Sequence, residues 1–167
     1  MSISIGSPLP DVILTEYVQA PGDACTTGPV QHAVRDLARG RTIALFALPG
    51  AFTPTCSEQH LPGYLARYDD LKARGVDEIW CVSVNDAFVM EAWGRDQQVQ
   101  GRVRMLADGA AAFTRAMGQV LDLTERGMGL RSRRYSALAV DGIVRQLNVE
   151  APGKFEVSDA DSLLAQL

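Results

Sequence analysis

The segment Arg41 to Leu48 (RTIALFAL) constrains the fold most. Ile43 to Leu48 are consecutive apolar residues with no polar alternation, which describes a β-strand buried on both faces. Such a strand needs helices on each side of its sheet, and Pro49-Gly50 ends the run. Downstream, Ile79 to Val84 (IWCVSV) repeats the pattern, followed by a helix capped by Asn85 with Phe88, Ala92 and Trp93 on one face. Val103 to Ala107 and Ala110 to Met117 repeat the strand and the helix. This alternation predicts parallel strands with helices packed on both faces.

The flanks differ from this core. Val12 to Leu14 is a candidate short strand, and Pro21 to Pro29 (PGDACTTGP) is expected to be a loop. Tyr135 to Val140 and Ile143 to Val149 are two strand-like runs joined by Asp141-Gly142, a strong hairpin signal. Ser158 and Asp161 fit a capping box for a closing helix. The expected class is α/β, thioredoxin-like, with a mixed central sheet, flanking helices and a late antiparallel hairpin, in one domain over 1–167. No repeat, low-complexity tract or linker divides the chain.

Composition narrows the function classes. The 167 residues carry a formal charge of −4, which argues against nucleic acid, whose binding rests on phosphate neutralisation. The apolar run is too short to cross a bilayer, and MSISIGSPLP has no basic or apolar leader character. A cytoplasmic protein that binds no membrane is expected. Nine arginines lie between Arg95 and Arg145 against five acidic residues, which reads as a solvated surface before an anion-attracting face. The three cysteines, Cys25, Cys56 and Cys81, make no disulfide scaffold and fit a reducing compartment.

Chemistry concentrates in PGAFTPTC, Pro49 to Cys56. Thr53-Pro54 is a helix-start signal, a hydroxyl N-cap followed by proline at the first helical position. Cys56 then falls in the first turn, where unpartnered N–H groups and the helix dipole favour a thiolate. The same N–H groups could hold the oxygens of a small polar substrate. Leu61, Leu65, Tyr68 and Leu71 continue the helix, with a kink at Pro62. A free cysteine can also be a small buried hydrophobe, and that alternative stands on position alone.

The string PGAFTPTCSEQHLPGY resembles the active-site motif of the peroxiredoxins, with Pro49, Thr53 and Cys56 in the pattern Pro-x-x-x-Thr-x-x-Cys. CVSVNDAFVMEAW (Cys81 to Trp93) and RSRRYSALAVDGIVRQLNVE (Arg131 to Glu150) resemble the peroxiredoxin 5 subfamily, in the same order. The resemblance implies a peroxidase in which Cys56 is the peroxidatic residue, the Thr53 hydroxyl and backbone N–H groups hold the peroxide, and Pro49 shields the pocket. It implies that Arg134, ahead of Tyr135, completes the site, leaving Arg131 and Arg133 solvated. It also implies a homodimer and an external thiol reductant, such as glutathione, glutaredoxin or thioredoxin, with no metal, haem or flavin.

Other readings use the same residues. Cys56 and His60, four apart, could form a cysteine hydrolase with His60 as base, or a zinc site with His32, Cys25 or Cys81. A non-catalytic thioredoxin-like binding module is a further alternative. Cys81 is expected to be buried in its strand and unreactive. Cys25, in a polar loop, is the only internal candidate to resolve an oxidised Cys56. Nothing after Cys81 is cysteine, so the chain departs from family members that carry a resolving cysteine near the C-terminus.

Overall fold

The computed structural model describes residues 2–19 and 27–167. In chain order these form β1 (Ile13–Val18), β2 (Gly28–Ala33), α1 (Val34–Ala38), β3 (Thr42–Leu48), a π-helical turn (Cys56–His60), α2 (Leu61–Ala66) and α3 (Tyr68–Ala73). They continue with β4 (Glu78–Ser83), α4 (Ala87–Asp96), β5 (Arg104–Ala107), α5 (Ala112–Met117), β6 (Val120–Leu123), β7 (Gly129–Ser132), β8 (Tyr135–Val140), β9 (Ile143–Val149) and α6 (Ala160–Leu164). One seven-stranded sheet runs β2-β1-β5-β4-β3-β8-β9. Strands β3, β4 and β5 are parallel, and β8, β9, β1 and β2 join antiparallel on either side.

β3 lies at the heart of the sheet. Ala44, Phe46 and Leu48 face one apolar cluster with Leu61, Tyr64, Met90 and Trp93, while Ile43, Leu45 and Ala47 face another with Phe113, Met117 and Tyr135. Every residue from Ile43 to Leu48 is buried, because helices and loops cover both faces of the strand. The β8–β9 hairpin turns at Asp141 (φ 48°) and Gly142 (φ 76°), the paired left-handed conformation that matches strand twist.

Several local expectations change. The first strand is longer than Val12 to Leu14. The expected loop at Pro21 to Pro29 lies outside the described residues as far as residue 26, and Gly28 and Pro29 belong to β2. Pro29 is tolerated there because β2 is an edge strand. A two-stranded sheet, β6–β7, stands apart from the main one. The cap of α4 is Asp86, whose carboxylate accepts from Val89 N–H at 2.8 Å, and not Asn85. Phe88 is 63% exposed, since the buried face of α4 is Ala87, Met90, Trp93 and Gly94. α6 is capped by Asp159 accepting from Ser162 N–H, not by Ser158.

Candidate active site

Backbone helical geometry begins at Pro54, and the first backbone bond of this helix runs from Ser57 N–H to the Thr53 carbonyl at 3.0 Å. The Thr55 and Cys56 N–H groups therefore sit in the turn that has no intrahelical acceptor. The expected N-cap does not form: the Thr53 side chain instead donates its hydroxyl hydrogen to the Gly50 carbonyl at 2.7 Å. That bond folds the loop onto itself and leaves the hydroxyl oxygen with acceptor capacity only.

The helix does not run on as one kinked rod. Cys56 to His60 form a π-helical turn, closed by Leu61 N–H donating to the Cys56 carbonyl. Pro62 lies directly beyond and can give no N–H to the preceding turn, while its ring crowds the carbonyl four residues back. Widening the turn ahead of it accommodates both effects. A second break falls at Arg67, between α2 and α3.

The loop between β3 and this helix is fixed from two sides. Asn85, after β4, accepts from Ala51 N–H at 3.0 Å and from Ser83 Oγ at 2.6 Å. Arg131 packs against the loop, with Nη1 3.4 Å from the Pro49 carbonyl and Nε donating to the Met128 carbonyl at 2.8 Å. A Cβ on Gly50 would lie 2.9 Å from Arg131 Nη1 and 3.3 Å from the Thr53 methyl, so any larger residue there would push the Arg131 guanidinium away from the loop.

Arg134 reaches the sulfur. The β3–β8 ladder runs to the pair Ala47↔Tyr135, so Arg134, directly ahead of β8, lies beside the end of β3 where the Pro49 loop starts. Its Nη2 donates to Cys56 Sγ at 3.3 Å, and its Nη1 lies 2.9 Å from His60 Nδ1. The guanidinium also stands 5.7 Å from the centre of the Phe155 ring. Cys56 is fully buried, and Pro49, Thr53 and Arg134 line a groove of about 820 Å³ whose walls include Leu121, Leu123 and Phe155. Arg133 also lines it, donating to the Glu150 carbonyl at 3.1 Å. Arg131 and Arg133 are thus half-buried and anchored to backbone carbonyls instead of wholly solvated, because β7 and the turn after it lie against the Pro49 loop and the end of β9.

His60 has a place that the sequence did not reveal. Its Nε2 lies 3.1 Å from the Ser158 carbonyl, which can only accept, so Nε2 carries the proton and Nδ1 accepts from Arg134. Both nitrogens are occupied, and neither is free to act as a base toward Cys56. Burial, and then the Arg134 charge, push its pKa from 6.5 down to about 3. The unfolded chain takes up this proton near 6.5 while the folded one refuses it until about 3. Stability from this residue is therefore complete above pH 6.5 and is lost as pH falls toward 3, by an amount on the order of a few kcal/mol. Urea melts of wild type and His60→Asn from pH 7 to 4 check this. The wild type should lose the larger part of its stability, and parallel losses in both proteins would contradict the assignment.

Cys81 lies fully buried in β4, as expected, where burial and the neighbouring Cys56 push its thiol well above the ordinary range. Cys25 lies outside the described residues. His32, on β2, pairs with Glu16 at 3.2 Å, and among the described residues no three His, Cys, Asp or Glu side chains gather as metal ligands. No helix among them is long and apolar enough to cross a membrane.

Comparison with known proteins adds an independent finding. A family model described as Redoxin matches residues 4–164. Peroxiredoxin-2E, chloroplastic, of Arabidopsis thaliana is 46% identical over 168 residues, spanning 99% of this chain and 70% of that protein. Reduced Prx3 in complex with H2O2 from Vibrio vulnificus superposes with a TM-score of 0.91 at 50% identity, covering 98% of each chain. Peroxiredoxin 5 from Alvinella pompejana superposes with a TM-score of 0.83 at 37% identity, over 98% of this chain and 96% of that one. The thioredoxin-like layout, with its mixed sheet and late hairpin, is shared across these matches, and the small β6–β7 sheet completes it.

Proposed function

We propose, for a chain that belongs to the peroxiredoxin family and is therefore a thiol-dependent peroxidase, that Cys56 is the peroxidatic residue, with Pro49, Thr53 and Arg134 forming its substrate pocket. The observation that carries this reading is the contact between Arg134 Nη2 and Cys56 Sγ at 3.3 Å, at the start of a helix. The guanidinium is a permanent cation beside the sulfur and attracts its anionic form. The anionic sulfur attacks the hydroxyl oxygen of R–O–O–H, the O–O bond breaks as the S–O bond forms, Cys56 becomes a sulfenic acid, and the departing RO− takes up a proton from solvent and leaves as ROH.

The pocket divides the work of binding. The Thr53 hydroxyl hydrogen is committed to Gly50, so its oxygen accepts the hydrogen of the peroxide. The Cys56 N–H and the Arg134 guanidinium donate to the peroxide oxygens, and negative charge develops on the leaving oxygen within their reach. Pro49, which carries no N–H, closes the mouth without competing for the peroxide. Steady-state peroxide consumption by the purified protein, supplied in turn with glutathione, glutaredoxin plus glutathione, and thioredoxin, tests the reading. Turnover with at least one donor is expected, and failure with every donor would overturn it.

Recycling is assigned to an external thiol, because Cys81 is buried and the remaining internal candidate, Cys25, lies about thirty residues upstream of Cys56 with no feature of the sequence that brings the two together. The thiol attacks the Cys56 sulfenic acid, releasing water and leaving a mixed disulfide that a second thiol reduces. The combined variant Cys25→Ser, Cys81→Ala should therefore turn over at close to the wild-type rate with the best donor. A variant that stops after a single turnover, or a dominant Cys25–Cys56 disulfide in oxidised wild type, would place the resolving thiol in the chain. A reducing cytoplasm and a homodimer complete the proposal, and sedimentation equilibrium at twice the monomer mass is the outcome that supports the dimer.

A further inference from the structure

Glu150 is a carboxylate only 4% exposed, at the end of β9, and its main chain is bonded to two arginines of the groove, Arg133 and Arg134. Its N–H donates to the Arg134 carbonyl at 3.0 Å, and its carbonyl accepts from Arg133 Nη2 at 3.1 Å. Its carboxylate nevertheless forms no ion pair with either guanidinium. Oε1 instead accepts from Glu156 N–H at 2.8 Å, Val157 N–H at 2.7 Å, Ser158 N–H at 2.8 Å and Ser158 Oγ at 2.9 Å. Successive N–H groups converging on one oxygen form an anion-binding nest of main chain.

This nest fixes the main chain that carries the Ser158 carbonyl. That carbonyl accepts from His60 Nε2 at 3.1 Å and from Tyr64 OH at 3.0 Å, so it selects the His60 tautomer whose Nδ1 faces Arg134. We infer that Glu150 is a positioning residue: its carboxylate pins residues 156–158, the Ser158 carbonyl orients His60, and His60 orients the Arg134 guanidinium toward Cys56. The inference rests on the reading of Arg134 given above. Burial works against the charged form of Glu150, but the donors of Val157, Ser158 and Glu156 outweigh it and hold the carboxyl below its usual range. The Glu150 carboxylate is thus engaged by residues 156–158, and the Arg134 guanidinium stays available to the sulfur and the peroxide.

The experiment is a double-mutant cycle on Cys56 oxidation, followed as a second-order rate constant with hydrogen peroxide in the absence of thiol. Glu150→Ala should slow oxidation by about tenfold or more, the scale expected of a displaced reacting group. Glu150→Gln, whose amide oxygen accepts the same N–H groups, should restore most of the rate. In an Arg134→Ala background Glu150→Ala should add no further loss, because the group it positions is gone. A merely structural contribution would lower both backgrounds equally, and that result would overturn the inference. If Glu150→Ala does not fold, Glu150→Asp, which retracts the carboxylate by one methylene, is read in the same cycle. Slow oxidation in Arg134→Ala with normal oxidation in the Glu150 variants would remove the inference alone. Normal oxidation in Arg134→Ala would remove the assignment of Arg134 and this inference with it.

Discussion

Replacing Cys56 by serine is expected to abolish peroxide reduction and leave the fold intact. The sulfur is fully buried among Phe46, Leu61 and the other side chains of one core face. A hydroxyl is smaller than a thiol and can accept from Arg134 in its place, so the packing loss is modest. The chemistry does not survive, because a serine hydroxyl does not ionise near neutral pH and is a poor nucleophile toward an O–O bond. Thermal unfolding and circular dichroism would show the fold, and peroxide consumption would show the loss. Retained turnover in Cys56→Ser would sink the assignment of the peroxidatic residue.

The second large effect is expected from Arg134→Ala. The variant deletes the cation in contact with the sulfur, a donor to the peroxide, and the partner of His60 Nδ1 in one change. Loss of a preorganised donor costs about 10²–10³ in rate, and the loss of the sulfur's cation adds to it. Arg131→Ala is the comparison, since Arg131 bonds the Pro49 and Met128 carbonyls and acts on the loop, not on the sulfur. Its loss should be several-fold, on the scale of a weakened hydrogen bond of about 1 kcal/mol. Second-order rate constants for both variants decide the matter. Equal losses would mean that the wrong arginine has been placed at the centre.

These two residues also show how far the sequence could be read. Cys56 was legible because Pro49, Thr53 and Pro54 announce a strand end and a helix start within a few positions, and such local punctuation has few structural solutions. The strands β3, β4 and β8 were legible for a similar reason, since unbroken apolar runs bounded by turn residues leave little choice. Arg134 was found by resemblance, as pattern alone gives no way to choose among Arg131, Arg133 and Arg134. Their separation comes from the β3–β8 register, a long-range pairing.

What stayed hidden depends on contacts distant in sequence or on competition between neighbouring groups. His60 looked like a partner for Cys56 because a regular helix sets residues four apart on one face, but its two nitrogens are taken by Arg134 and Ser158. Thr53 has the composition of an N-cap, yet the Gly50 carbonyl three residues back claims its hydroxyl hydrogen. Asn85 lost the capping position to Asp86 because Ala51 and Ser83 engage its side chain. The β6–β7 pair is short and only half buried, with Asp122 and Gly129 in its strands, so it offered no apolar run to notice. The role of Glu150 rests on a turn folded around its carboxylate six to eight residues later.

The most direct measurement is residue-resolved mass spectrometry of the purified, reduced protein treated with one equivalent of hydrogen peroxide and a sulfenic-acid trap such as dimedone, without thiol. The trap should be found on Cys56 in near-stoichiometric amount, with Cys81 unmodified and the trapped protein unable to consume more peroxide. Peroxide consumed while Cys56 remains a free thiol would contradict the account.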